Sequence, residues 1–216
     1  MKYFLRNLVS SIIAGILIGI GGTAFIICKV KGADSFGANF AGAFLFSIGL
    51  FSIVIYGINL FTGKICYVLF EDKKYAVNML TVLLGNLIGT ATVGYLIRYT
   101  ANDNILLVAE KICEGKFNYN YLQSFILAAF CGIMIYLGVN IYKESDHQIA
   151  KYFAIVVIVI IFILCGFEHC IANMFYFSIA NVWGWKALSY LLVMILGNTV
   201  GGVAIPALRK ILEKLQ

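Results

Sequence analysis

Six apolar stretches joined by short polar connections constrain this chain more than any other feature of its sequence; they run over about 8–28, 40–70, 76–98, 121–142, 152–180 and 187–208. A helix needs about 20 apolar residues to cross a bilayer core, and each stretch supplies that length. Of the 216 residues, 62% are hydrophobic and only 12% charged, and the mean hydropathy is +0.95. A soluble domain sits nearer half apolar and a quarter charged. The sequence therefore predicts an all-α, multi-pass membrane protein with six transmembrane helices, folded as a single domain over 1–216. The first run, LVSSIIAGILIGIGGTAFII, exceeds a signal-peptide core and has no convincing cleavage site, so it reads as the first span.

The formal charge of +6 does not point to nucleic acid, because lysines and arginines stand singly between apolar spans. Nine of them (Lys2, Arg6, Lys73, Lys74, Lys143, Lys151, Arg209, Lys210, Lys214) lie on the side of the chain ends. Six (Lys29, Lys31, Arg98, Lys111, Lys116, Lys186) lie on the other, and Lys64 falls inside an interrupted span. That bias places both termini in the cytoplasm, which suits a cell-membrane protein with Trp183, Trp185, Tyr119 and Tyr121 in the outer interfacial belt. The six cysteines (28, 66, 113, 131, 165 and 170) show no metal-binding spacing and read as buried free thiols.

The chain repeats itself. LGNLIGT at 84–90 matches LGNTVGG at 196–202, offset by 112, and GINLFTGK at 57–64 overlies GFEHCIAN at 166–173, offset by 109. Ser11, Gly15 and Gly19 fall opposite Ser124, Ala128 and Gly132. Three spans thus recur, at about 8–98 and about 121–208, and an odd number of crossings inverts the second copy. Inverted repeats with matched broken helices build transporters and channels, with the site near the midplane.

The spans at 40–70 and 152–180 are too long for one crossing, and each is interrupted near its middle. In lipid a helix breaks only where protein or a water-filled cavity satisfies the freed backbone groups, and Gly57, Gly63 and Gly166 permit such breaks. Freed half-helix N–H groups there favour an anion. Thr62 brings a hydroxyl, His169 a group able to exchange protons near neutral pH, and Glu168 a carboxylate that accepts from freed N–H groups or from Asn173. An ionisable pair at this depth marks a functional site by default; the plain alternative is a structural Glu–His clamp. Lys116, before the fourth span, reads from spacing alone as a solvated loop charge.

GFEHCIANM resembles the GFEHS-x-ANM signature of the formate/nitrite transporter family, whose members are pentameric channels for small monovalent anions. GINLFTG is similar to its GAELFTG loop, ILGNTVGG to its GN-x-x-GG motif, and SFILAAFCGIMIYLGV to its AFLRGILCNWLVCLAV span. Phe125, Cys131, Leu137 and Val139 are identical in that span. The resemblance implies an aquaporin-like protomer of six helices with broken second and fifth helices, assembled as a homopentamer. It implies a central histidine at His169, a loop threonine at Thr62, a vestibule lysine at Lys116, and hydrophobic constrictions at Phe46, Leu50, Leu60, Phe61 and Phe162. The substrate would be formate, nitrite or hydrosulfide, moving with a proton through the bilayer; no cofactor or metal is called for.

Several positions depart from the family pattern. Its loop glutamate is Asn59 here, the CNW asparagine Gly132, the LFTGN asparagine Lys64, and the fourth-span arginine Leu127. Gly132 is expected to remove a pore-side polar group and Asn59 a second buried carboxylate. Among rivals, an aquaporin-type channel for a neutral solute would carry Asn-Pro-Ala pairs, and Pro206 is the single proline. A metalloenzyme would need a third ligand beside Glu168 and His169, and His147 lies in a loop. A non-conducting sensor or scaffold on the same fold is countered by Thr62, Lys116 and His169.

Overall fold

The computed structural model describes residues 2–215, and the described chain is helical with no strand. The helices are α1 (Lys2–Lys31), α2 (Phe36–Ile55), α3 (Phe61–Lys64), α4 (Lys73–Thr100), α5 (Asp103–Phe117), α6 (Tyr121–Glu144), α7 (Gln148–Leu164), α8 (Cys170–Ala180) and α9 (Trp185–Leu215). Helices α1, α2, α4, α6 and α9 are each long and apolar enough to cross a membrane, while α7 and α8 are shorter apolar pieces. Helices thus occupy all six expected stretches, the second as α2 with the short α3 and the fifth as α7 with α8.

The two breaks are built alike. Gly57 (φ +64°) and Gly166 (φ +69°) both take the left-handed conformation that glycine adopts without strain. Ile58 N donates to Ile53 O and Gly57 N to Val54 O; Phe167 N donates to Phe162 O and Gly166 N to Ile163 O. These are paired 6→1 and 5→2 bonds of the Schellman type, which close a helix by satisfying its last carbonyls. The chain then runs extended through Leu60 and His169 before α3 and α8 begin.

The repeat predicted from LGNxxG is also a repeat of hydrogen bonds. Asn86 accepts from Phe61 N (2.8 Å) and donates to Asn59 O (3.0 Å) and Ser11 O (2.7 Å). Asn198 accepts from Cys170 N (2.8 Å) and donates to Glu168 O (2.8 Å) and Ala128 O (2.7 Å). One buried amide per repeat thereby holds the backbone groups that each break frees, which is the condition for irregular backbone at this depth. Around this frame α1 packs along α4, α6 along α9, and α2 against α7.

Two expectations need correction. Gly132 does not face a pore: a Cβ there would stand 2.3 Å from Asn198 O and 2.7 Å from Gly202 N, so the glycine lets α6 and α9 approach closely. Lys116 is not in a loop but in the last turn of α5. That helix escaped a hydropathy reading because it is short and carries charges. Its signal was present in the Asn102 N-cap, whose side chain accepts from Ile105 N, and in Ile105, Ala109, Ile112 and Cys113 at helical spacing.

Candidate functional site

The sides of the protein follow from its contacts. Asn7 at the start of α1 bonds Asn78 on α4, and Arg209 near the end of α9 pairs with Glu144 at the end of α6 (3.1 Å). We call this the near side. On the far side lie the end of α1, helix α5 and the Trp183 indole, which donates to Ser178 Oγ.

A far-side cavity of about 350 Å³ is lined by Phe46, Phe162, Lys116, Glu168, His169 and Asn173, among others. At its floor His169 starts α8, with Nδ1 accepting from Ala172 N (3.1 Å). A ring nitrogen that accepts from a backbone amide cannot carry a proton, so the neutral ring keeps its proton on Nε2. Nε2 lies 2.9 Å from Thr62 Oγ1. Nε2–H then donates to the threonine oxygen, which leaves the Thr62 hydroxyl proton available to a second acceptor. Thr62 itself is fully buried.

Glu168 is buried beside this pair and does not bond the histidine. Its Oε2 accepts from Lys116 Nζ (2.7 Å) and from Asn173 Nδ2 (2.7 Å). The expected Asn173 contact is therefore present, and Lys116, expected as a vestibule lysine, lines the far-side cavity while pairing with Glu168. The Asn173 amide also reaches Met194 Sδ, while its Oδ1 is buried without a partner. The expected half-helix potential is uneven: α8 offers eleven residues of aligned peptide, α3 only four before a 3-10 turn. The larger contribution comes from α8.

Of the residues read as constrictions, Phe46 and Phe162 meet edge-to-face with centroids 6.3 Å apart, and Phe162 stacks on His169 at 5.8 Å. Leu50 and Leu60 line a second cavity of about 100 Å³ on the near side, with Lys64 and Lys143. His169 lines the far-side cavity, and Thr62, bonded to it, lies in the chain between Leu60 and Gly63, which line the near-side one. Phe61 lines neither; its side chain is packed in the core and its backbone N–H serves the Asn86 bond. The sequence reading gave no role to Asn86, Asn198 or Lys143, although the first two sat in the repeated motif. Asn59, opposite Glu168 in the repeat, bonds Asn7 Oδ1 (3.1 Å) instead of a cation. Outside the spans, at the far-side mouth, the Lys29 ammonium bonds Asp34 and holds its carboxyl below the usual value.

Residues 2–211 match the model of the family described as formate/nitrite transporter. The formate channel FocB of Escherichia coli (strain K12) is 29% identical over 75% of this chain and 62% of its own length. FocA of the same strain is 29% identical over 81% of this chain and 66% of its own. The chain thus spans just under two thirds of these two relatives. The formate-nitrite transporter of Plasmodium falciparum (isolate 3D7) is 27% identical over 93% of this chain and 75% of that protein. Among solved structures, a pentameric formate channel with formate bound superposes with a TM-score of 0.83 at 26% identity, covering 100% of this chain and 99% of that one.

Proposed function

Since the chain belongs to the formate/nitrite transporter family, we propose that it is a membrane channel, not an enzyme, for small monovalent weak-acid anions such as formate, nitrite or hydrosulfide. The channel is a single domain over 1–216 that works as a homopentamer in the cell membrane, with both termini, and hence the near side, cytoplasmic. The observation that carries this reading is the buried Thr62–His169 pair behind an apolar gate, its histidine lining the far-side cavity and its threonine lying in the chain between two residues that line the near-side one.

Physical chemistry favours passage as the neutral acid. A bare anion in an apolar constriction faces a Born cost of order tens of kcal/mol in the ideal limit, and still several after relaxation. Protonating formate or nitrite at pH 7 costs roughly 4–5 kcal/mol, at about 1.4 kcal/mol per unit between pKa and pH. For hydrosulfide the cost nearly vanishes. The smaller penalty decides the route.

In this mechanism the far-side cavity and the N-terminal end of α8 draw in the anion, with the Lys116–Glu168 pair on its wall. Phe46 and Phe162 strip its water, which raises its proton affinity. The Thr62 hydroxyl, oriented by His169 Nε2–H, donates to the guest, and once the guest is protonated Asn173 Oδ1 accepts a hydrogen bond from it. The neutral molecule passes Leu50 and Leu60 and ionises on the other side. Because Nδ1 is occupied by the α8 cap, His169 acts as an orienting donor, and the proton itself comes with the guest from water.

Reconstitution into liposomes tests the reading, with flux of formate, nitrite, hydrosulfide, acetate and lactate measured at two pH values. Formate flux is expected to rise up to about tenfold per unit of acidification, following the neutral fraction, and hydrosulfide flux to level off near neutrality. No flux of any of the three small acids would reject the channel.

A further inference from the structure

The two halves of the site carry opposite electrostatic designs. On the far side the half-buried Lys116 ammonium is neutralised by the buried Glu168 at 2.7 Å. The position opposite Glu168 in the repeat is Asn59, an uncharged amide bonded to another amide. Two lysines nevertheless line the near-side cavity, Lys64 from the end of α3 and Lys143 from the last turn of α6. No carboxylate lines that cavity, and among the described residues neither lysine forms an ion pair. Glu144, the neighbour of Lys143, is held by Arg209. Lys143 rests over the Tyr67 ring, 3.8 Å from its centroid, and Tyr75 Oη donates to Lys64 O (2.8 Å), fixing the backbone that carries the second lysine.

We propose that Lys64 and Lys143 form a near-side anion trap, a holding site for one small monovalent anion at the threshold of the Leu50–Leu60 gate. Two like charges facing a space of about 100 Å³ repel each other, and an anion between them converts that repulsion into attraction. The site rests on the channel reading and adds a sidedness to it. A trap deepens the near-side well without lowering the central barrier. In a passive channel at equal pH on both sides, detailed balance fixes the same ratio of maximal rate to half-saturation in both directions. The trap therefore appears as a lower half-saturation concentration for entry from the near side, coupled to a lower maximal rate from that side.

The experiment is zero-trans formate flux in proteoliposomes of known orientation, with impermeant salt added to one face at a time. For the native chain, near-side salt is expected to raise the near-side half-saturation concentration, since exposed charges are screened within about 10 Å at 0.1 M. Lys64→Asn should raise the ratio of near-side to far-side half-saturation by about fivefold, the order expected for one unit charge near 4 Å in water. Adding Lys143→Gln should raise it again and abolish the effect of near-side salt. A ratio unmoved by the double variant, with formate still crossing, would overturn the trap and leave the channel standing. If the double variant fails to assemble, near-side half-saturation indifferent to salt in the native chain overturns it equally. No formate flux from either face would reject the channel reading, and the trap with it.

Discussion

Thr62 Oγ1 and His169 Nε2 lie 2.9 Å apart although 107 positions separate them in the chain. Each stands just past the break of its own repeat, so the contact joins the two repeats. Because α8 takes its cap from the same ring, the histidine both caps a helix and holds Thr62, its proposed partner in the pathway. The two roles separate by substitution.

His169→Asn preserves a good N-cap and removes the imidazole. The variant should fold and assemble, while formate flux falls by about tenfold, the order expected for losing one orienting hydrogen bond of about 1.5 kcal/mol. Flux assays across pH check this. A native rate and pH profile would take the imidazole out of the mechanism.

Lys116→Met strands the Glu168 carboxylate, which is 2% exposed. Breaking a buried ion pair from one end costs about 3–5 kcal/mol, so thermal unfolding in detergent should drop sharply. Glu168→Gln should cost less, because the Lys116 side chain is 16% exposed and can reach water. Combining both changes should recover most of the lost stability; strict additivity would argue against coupling.

Asn198→Ala removes three buried bonds at once, to Cys170 N, Ala128 O and Glu168 O. Each orphaned group costs about 1–3 kcal/mol, and the fifth span is expected to lose its order at the break. Asn198→Asp should fail as well, since a carboxylate cannot donate to the two carbonyls. Limited proteolysis and unfolding in detergent read the outcome.

Gly132→Asn would restore the family's residue. With Asn198 O only 2.3 Å from the position of a Cβ, it should push α6 from α9 and destabilise by at least the 1–3 kcal/mol typical of overpacking, about the cost of a misfit methylene or more. Melting at or above the native temperature would show that α6 and α9 can separate without penalty.

Much of this was legible in the residues. Apolar stretches long enough to span a bilayer dictate helices, because lipid offers no partner for an unbonded amide. Gly57 and Gly166 marked both breaks, and the two LGNxxG motifs marked the repeat. The pairing of Lys116 with Glu168 was not legible. It depends on how α5 lies over α8, and neither helix carries a local signal for that contact. The environment of Gly132 was equally hidden, since a glycine reads the same whether it faces a pore or another backbone.

The sequence by itself determined the class of the protein, its crossings, its breaks and the polar residues placed at them, because these follow from local periodicity and from what lipid forbids. Only the tertiary structure decided which of those residues meet: His169 with Thr62, Lys116 with Glu168, Asn86 and Asn198 with the freed backbone, Lys64 with Lys143 around one cavity. Such meetings are fixed by the packing of helices distant in sequence, where directional bonds are made only after the apolar faces have chosen their partners.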